Sequence, residues 1–92
     1  MVSEDIFVVE IIEQYNIDDI GSWTDFDVNT VVFKNYYDAN DYLELLKKTW
    51  LEDKNINPKD IYAYPDAIGI ESSEVFKYGF NLQASIHGRE LN

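Results

Sequence analysis

Carboxylates in the first third of the chain are the residues whose spacing most resembles a chemical motif. Residues 25–29 (DFDVN) place three oxygen-bearing side chains at the spacing that opens a calcium-binding loop. That loop needs Gly at its sixth position and Glu at its twelfth, where this chain has Thr30 and Tyr36. The pattern therefore predicts no metal site and no cofactor, and we interpret these acids as the wet face of a strand.

Residues for nucleophilic or acid/base catalysis are sparse. His87 is the single histidine, and the chain has no cysteine. A serine triad would need a residue such as Ser85 beside His87, but no G-x-S-x-G motif marks a nucleophile. Asp18-Asp19 could raise one carboxyl pKa through like-charge repulsion, yet paired acids between elements are more typical of a turn. We expect a protein that is not an enzyme.

The charge of the chain is strongly negative and unevenly distributed. It has 18 acidic and 7 basic residues, a formal net charge of -11. Residues 1–33 contain eight acids and neither Lys nor Arg. Such a field repels nucleic-acid phosphates and anionic membranes and attracts basic proteins. We therefore predict a basic, nucleic-acid-binding protein as the partner, with no direct binding to nucleic acid or membrane.

The residues predicted to bind that partner combine acids with neighbouring aromatic side chains. Carboxylates would meet Lys and Arg, while Trp and Tyr would anchor the rim by burying apolar area. The predicted set is Glu10, Glu13, Asp18, Asp19, Trp23, Asp25, Asp27, Tyr36 and Tyr37.

Periodicity predicts two strands before the first helix. Residues 6–15 are rich in β-branched residues and favour a strand, although a helix capped by Ser3 is the alternative. Residues 16–24 have turn composition. Residues 24–33 alternate, which predicts Phe26, Val28, Thr30 and Val32 on one face and an acidic, solvated face opposite.

The remaining chain predicts one helix and two more strands. Asp38 is expected to cap an amphipathic helix that ends near Asp53, with Asp41 in the capping-box position. A connector over 59–65 leads to a short strand over 67–71, and alternation from Phe76 predicts the last strand. The fold class is α+β: a small antiparallel sheet in the order β-β-α-β-β, with one amphipathic helix packed on one face.

Length and composition set the expected organisation and location. Ninety-two residues fit a single domain over 1–92. The acidic start does not resemble a secretory signal, no apolar run can span a bilayer, and the lack of cysteine suits a cytoplasmic protein.

In size, acidity and lack of catalytic motifs the chain resembles phage-encoded acidic inhibitors (DNA mimics, anti-restriction and anti-CRISPR proteins) and the immunity proteins of nuclease toxins. This resemblance is compositional and covers no alignable motif. It implies an inhibitor that occludes the basic nucleic-acid-binding surface of a nuclease or other defence protein. The alternative is a non-enzymatic accessory protein that forms a homodimer or larger homo-oligomer through an aromatic-rich sheet face.

Overall fold

A computed structural model describes residues 4–15 and 25–91 of the chain. The first two strands are β1 (Glu4–Tyr15) and β2 (Asp25–Phe33), and they pair antiparallel from Phe7 opposite Phe33 to Tyr15 opposite Asp25. The prediction of a strand over residues 6–15 is confirmed. β-Branched side chains pack well on a pleated surface, and β1 is rich in them.

The third element is the 18-residue helix α1 (Tyr36–Asp53). Its N-cap is Asn35, whose side-chain oxygen accepts a hydrogen bond from the Asp38 backbone N–H at 2.8 Å. The prediction that Asp38 caps the helix is therefore wrong. Asp38 lies three residues after Asn35, and its carboxylate accepts a hydrogen bond from the Asn35 side-chain Nδ2 at 2.9 Å. The predicted end near Asp53 is confirmed.

Three further strands complete the sheet. After a 3₁₀ turn over Pro58–Asp60 come β3 (Ile61–Tyr64) and β4 (Ala67–Ile70), and β5 (Phe80–Leu91) follows a 3₁₀ turn over Ser72–Glu74 and the short helix α2 (Val75–Tyr78). The sheet has the strand order β2-β1-β5-β4-β3, and every pairing is antiparallel. The fold is α+β.

The predicted element order β-β-α-β-β is wrong in two places. The connector predicted over 59–65 contains β3, which is only four residues long and shows no clear alternation. Residues 76–78, predicted to open the last strand, form α2 instead. Gly79 then takes a left-handed conformation with φ of 77°, which ends α2 and redirects the chain into β5.

The core lies between α1 and one face of the sheet. Buried apolar side chains on this helix-side face alternate along the strands, as the period of two requires. They meet the buried stripe of α1, and the residues that form this core are Val9, Ile11, Ala39, Leu43, Trp50, Ile56, Ile61, Ile68, Ile70, Val75, Leu82, Ala84 and Ile86. Tyr42 and Leu46 of the predicted helix stripe pack against them.

We call the sheet face turned away from α1 the open face. The alternation of β2 predicts that the other face of this strand is the solvated one. Val31 and Phe33 pack against the core, so the odd positions of β2 share the helix side. Val28 and Val32 lie on the open face and are 47% and 57% exposed. The predicted assignment of the apolar face of β2 is therefore wrong, because the two faces of this strand are nearly equal in apolar content.

Candidate protein interface

The structure brings two of the predicted interface residues together. Glu13 of β1 and Asp27 of β2 are directly opposite each other in the strand register, on the helix side of the sheet. Asp27 is exposed and Glu13 is half-buried. The Tyr15 hydroxyl donates a hydrogen bond to Glu13 Oε1 at 3.3 Å, and the backbone of Asp25 is paired with that of Tyr15. We call Glu13 and Asp27 the acidic end.

The acidic end lies beyond the part of β2 that packs against α1 and the core. The helix covers β2 at Val31 and Phe33, and Trp50 near its other end is buried. Asn29 and Asp27, further along β2 on the same side, are exposed. An amphipathic helix can cover only part of a five-stranded sheet, so this corner remains accessible to another molecule.

No salt bridge to the acidic end is found within the described residues, and the described cation beside it is Lys54, whose Nζ lies 5.1 Å from the centroid of the Tyr15 ring. Both ion pairs among the described residues involve Lys77, which contacts Asp60 at 3.0 Å and Glu74 at 3.9 Å. Like charges directly opposite each other on neighbouring strands destabilise a sheet, by roughly 0.2–1 kcal/mol. The pair at Glu13 and Asp27 therefore works against the fold, and such local conflicts are typical of functional surfaces.

Glu10 lies on the other side of the sheet from the acidic end. It is paired with Thr30 on β2 and with Ser85 on β5, and all three occupy the open face. A single flat partner surface cannot contact Glu10 and Glu13 together.

The two predicted tyrosines lie at the opposite end of the sheet. The Tyr36 ring packs edge-on against Phe7 with centroids 5.9 Å apart, and its hydroxyl donates to the Pro65 carbonyl at 3.2 Å. Tyr37 is 79% exposed. Phe7 is six residues from Glu13 along β1, a distance of about 20 Å at the rise of a strand. The tyrosines border a groove of about 580 Å³ lined by Asp5, Ile6, Phe7, Lys34, Asn35, Tyr36 and Tyr37.

Three predicted interface residues, Asp18, Asp19 and Trp23, lie outside the described residues. Of the predicted set, the structure therefore joins Glu13 with Asp27 and separates this pair from Glu10 and from the tyrosines.

The structure also pairs Ser85 with His87, whose Nε2 is 2.8 Å from Ser85 Oγ. Positions two apart share a strand face, which is the sequence signal for this contact. Ser85 lies in a central strand with β1 on one side and β4 on the other. The neighbouring Ile86 N–H donates to the Asp66 carbonyl at 2.8 Å, so it is not free to stabilise an oxyanion. We assign no catalytic role to the pair.

A partly buried polar cluster centres on Asp60, a residue within the connector predicted over 59–65. The Tyr78 hydroxyl and the Lys77 ammonium both donate to Asp60 Oδ2, and Tyr78 accepts from the Asn57 N–H at 3.0 Å. These hydrogen bonds, with Tyr78 first, hold the pKa of Asp60 below its usual range. The bond to Asp60 raises the pKa of Lys77. Asp60 fastens α2 to the turn before β3, a structural role.

Within residues 4–15 and 25–91, no group of three or more His, Asp or Glu side chains is arranged to hold a metal ion. None of the helices found there is long and apolar enough to cross a membrane. No protein-family model, curated protein or solved structure matches the chain.

Proposed function

We propose that this chain is a non-enzymatic, acidic binding protein that occupies the basic nucleic-acid-binding surface of another protein, such as a nuclease or other defence protein. The observation that carries the proposal is the acidic end: Glu13 and Asp27 lie opposite each other, Asp27 is exposed, and neither forms a salt bridge among the described residues. A Lys- or Arg-lined cleft would supply the missing positive charge.

The mechanism is steric and electrostatic occlusion. A nucleic-acid site attracts phosphates through Lys and Arg, and closely spaced carboxylates offer these cations an alternative anion. The net charge of -11 would accelerate the encounter with a basic protein, because long-range attraction raises association rates. Contacts at the acidic end would then set the orientation in which the complex blocks the cleft.

Capture experiments test this proposal directly. The tagged chain is incubated with a bacterial lysate at low salt, with and without competing duplex DNA, and retained proteins are identified by mass spectrometry. We expect a nucleic-acid-binding protein that duplex DNA displaces and that about 0.5 M NaCl releases, since that salt shortens the Debye length to under about 5 Å.

A matched pair of double variants ties the binding to the acidic end. Glu13→Gln with Asp27→Asn removes two charges there, and Asp41→Asn with Glu52→Gln removes two charges of the same types from exposed positions of α1. The proposal expects the first variant, and not the second, to lose the DNA-displaceable protein. Equal retention by both variants would contradict the assignment of the acidic end, and retention that DNA does not affect would contradict the inhibitor function.

A further inference from the structure

The open face exposes an apolar area along β1 and β2, and β5 beside it presents polar positions. The polar positions of β5 on this face include Gln83, Ser85 and His87. Positions on this face alternate with core positions along each strand. Val28, Val32 and Tyr64 are 47%, 57% and 64% exposed, and half-buried side chains of β1 fill the space between the edge strand and β5. The β1 residues are Ile6, Val8 and Ile12. Half of the six large apolar side chains that are exposed among the described residues therefore lie on this one face.

Charge is largely absent from the open face of this very acidic chain. Among the described side chains, the strand positions on this face carry only two charges, Glu10 and Arg89. The acidic end lies on the helix side, and further exposed acids lie along α1. Two copies of a chain with charge -11 repel each other, so a surface with few acids is the one through which they can approach most closely.

The size of the open face suits a small specific interface. With strands about 4.8 Å apart and a rise of about 3.3 Å per residue, five strands of 12, 9, 4, 4 and 12 residues present a footprint of roughly 650 Å². Two such faces would bury roughly 1,300 Å² in total, at the lower end of the range for specific protein interfaces. Two twisted sheets pack face to face at about 10 Å, with their strands about 30° apart.

We propose that the open face is a self-complementary interface through which two copies of this chain form a two-fold dimer. The two charges on this face support a second copy as the occupant. Glu10 and Arg89 are four residues apart in register, too far for an ion pair on one sheet, because Arg89 is paired with Ile6. A two-fold axis that passes midway between Glu10 and Arg89 places Glu10 of each copy against Arg89 of the other. The dimer leaves both acidic ends on its outer surfaces.

Sedimentation equilibrium over a range of protein concentrations tests the dimer. We expect a concentration-dependent dimer that becomes tighter between low salt and about 0.5 M NaCl, because salt screens the repulsion between two acidic copies. Partner binding at the acidic end is expected to weaken over the same salt range. The two proposals can therefore fail separately, and the dimer does not rest on the proposed function.

Two single substitutions with the same charge change locate the interface. Val32→Glu places a charge at an exposed position of the open face, and Leu45→Glu does so at an exposed position of α1, where Leu45 is 58% exposed. Val32→Glu is expected to weaken dimerisation about tenfold or more, since two-fold symmetry buries the new charge twice. Leu45→Glu should leave the dimer unchanged. Circular dichroism checks that both variants fold. Tyr64→Glu on β3 is a second open-face variant and is also expected to weaken the dimer.

Charge exchange tests the contact between copies. Glu10→Arg and Arg89→Glu are each expected to weaken the dimer, and the double variant is expected to restore it. A protein that is monomeric at every concentration and salt would overturn the proposal. A dimer that Val32→Glu and Tyr64→Glu leave intact, or that Leu45→Glu disrupts, would also overturn it by placing the interface elsewhere.

Discussion

At the residue scale, the only buried carboxylate among the described residues makes a prediction about acid stability. Asp60 has a pKa below its ordinary value of 3.8 because Tyr78 and Lys77 donate to its carboxylate. Its stabilising contribution is complete above pH 3.8 and is lost as the pH falls from there through the folded-state pKa, since the unfolded chain takes up the proton first.

The comparison of Asp60→Asn with the parent chain tests this assignment. We expect Asp60→Asn to lower the free energy of unfolding at pH 7, with a difference that shrinks as the pH falls below 3.8. Urea unfolding at several pH values measures it, and the exposed-site variant Asp41→Asn controls for the change in net charge. A difference that is constant down to pH 2 would show that Asp60 does not carry this ionic contact.

A second residue-scale prediction concerns Gly69, which lies under the Tyr62 ring on the open face. A Cβ at Gly69 would lie 2.5 Å from the Tyr62 hydroxyl oxygen, so the ring would have to move. Gly69→Ala should therefore destabilise the fold by about 1–3 kcal/mol through overpacking. In a Tyr62→Ala background the same change should cost much less. An equal cost in both backgrounds, measured by urea unfolding, would refute the contact.

At the element scale, Asn35 is the residue that starts α1. Asn35→Ala removes the side-chain acceptor for the Asp38 N–H and should lower the free energy of unfolding by about 1 kcal/mol. Asn40→Ala inside the helix is unsuitable as a control, because the Asn40 side chain donates its own hydrogen bond to the Pro65 carbonyl. Asp41→Asn at an exposed helix position is better suited. An unchanged stability of Asn35→Ala would argue against this cap.

The sequence predicts elements with strong local signals and misses those that depend on distant contacts. The apolar stripe of α1 and the β-branched run of β1 follow from periodicity alone. β3 was missed because four residues carry too little pattern, and its pairing with β4 supplies the stabilisation. The faces of β2 were misassigned because apolar residues occur on both, and only α1 decides which face is covered.

The candidate interface also combines features that the sequence predicts locally with features that depend on distant contacts. The acids were identified from composition, but their grouping depends on strand register, which pairs Glu13 with Asp27 and sends Glu10 to the open face. The aromatic side chains of the sheet are divided between its faces. Phe7, Phe33 and Phe80 pack on the helix side, whereas Tyr62 and Tyr64 lie on the open face.

At the scale of the whole molecule, charge and apolar area are segregated. The acidic end and the outer surface of α1 carry exposed acids on one side, and the open face carries exposed aliphatic side chains on the other. A dimer through the open face would present two acidic ends to basic partners. Two linked sites bind a target with paired clefts more tightly than one, provided that the spacing fits.

The most direct test of the central proposal is the affinity of the captured partner as a function of salt. Glu13→Gln with Asp27→Asn should weaken binding at low salt by about tenfold, or about 1.4 kcal/mol, and should reduce the salt dependence. Asp41→Asn with Glu52→Gln should change the affinity far less. Binding by both double variants that equals that of the parent chain would contradict the role of the acidic end. An equal loss of affinity in both would also contradict it, because net charge alone would then explain the binding.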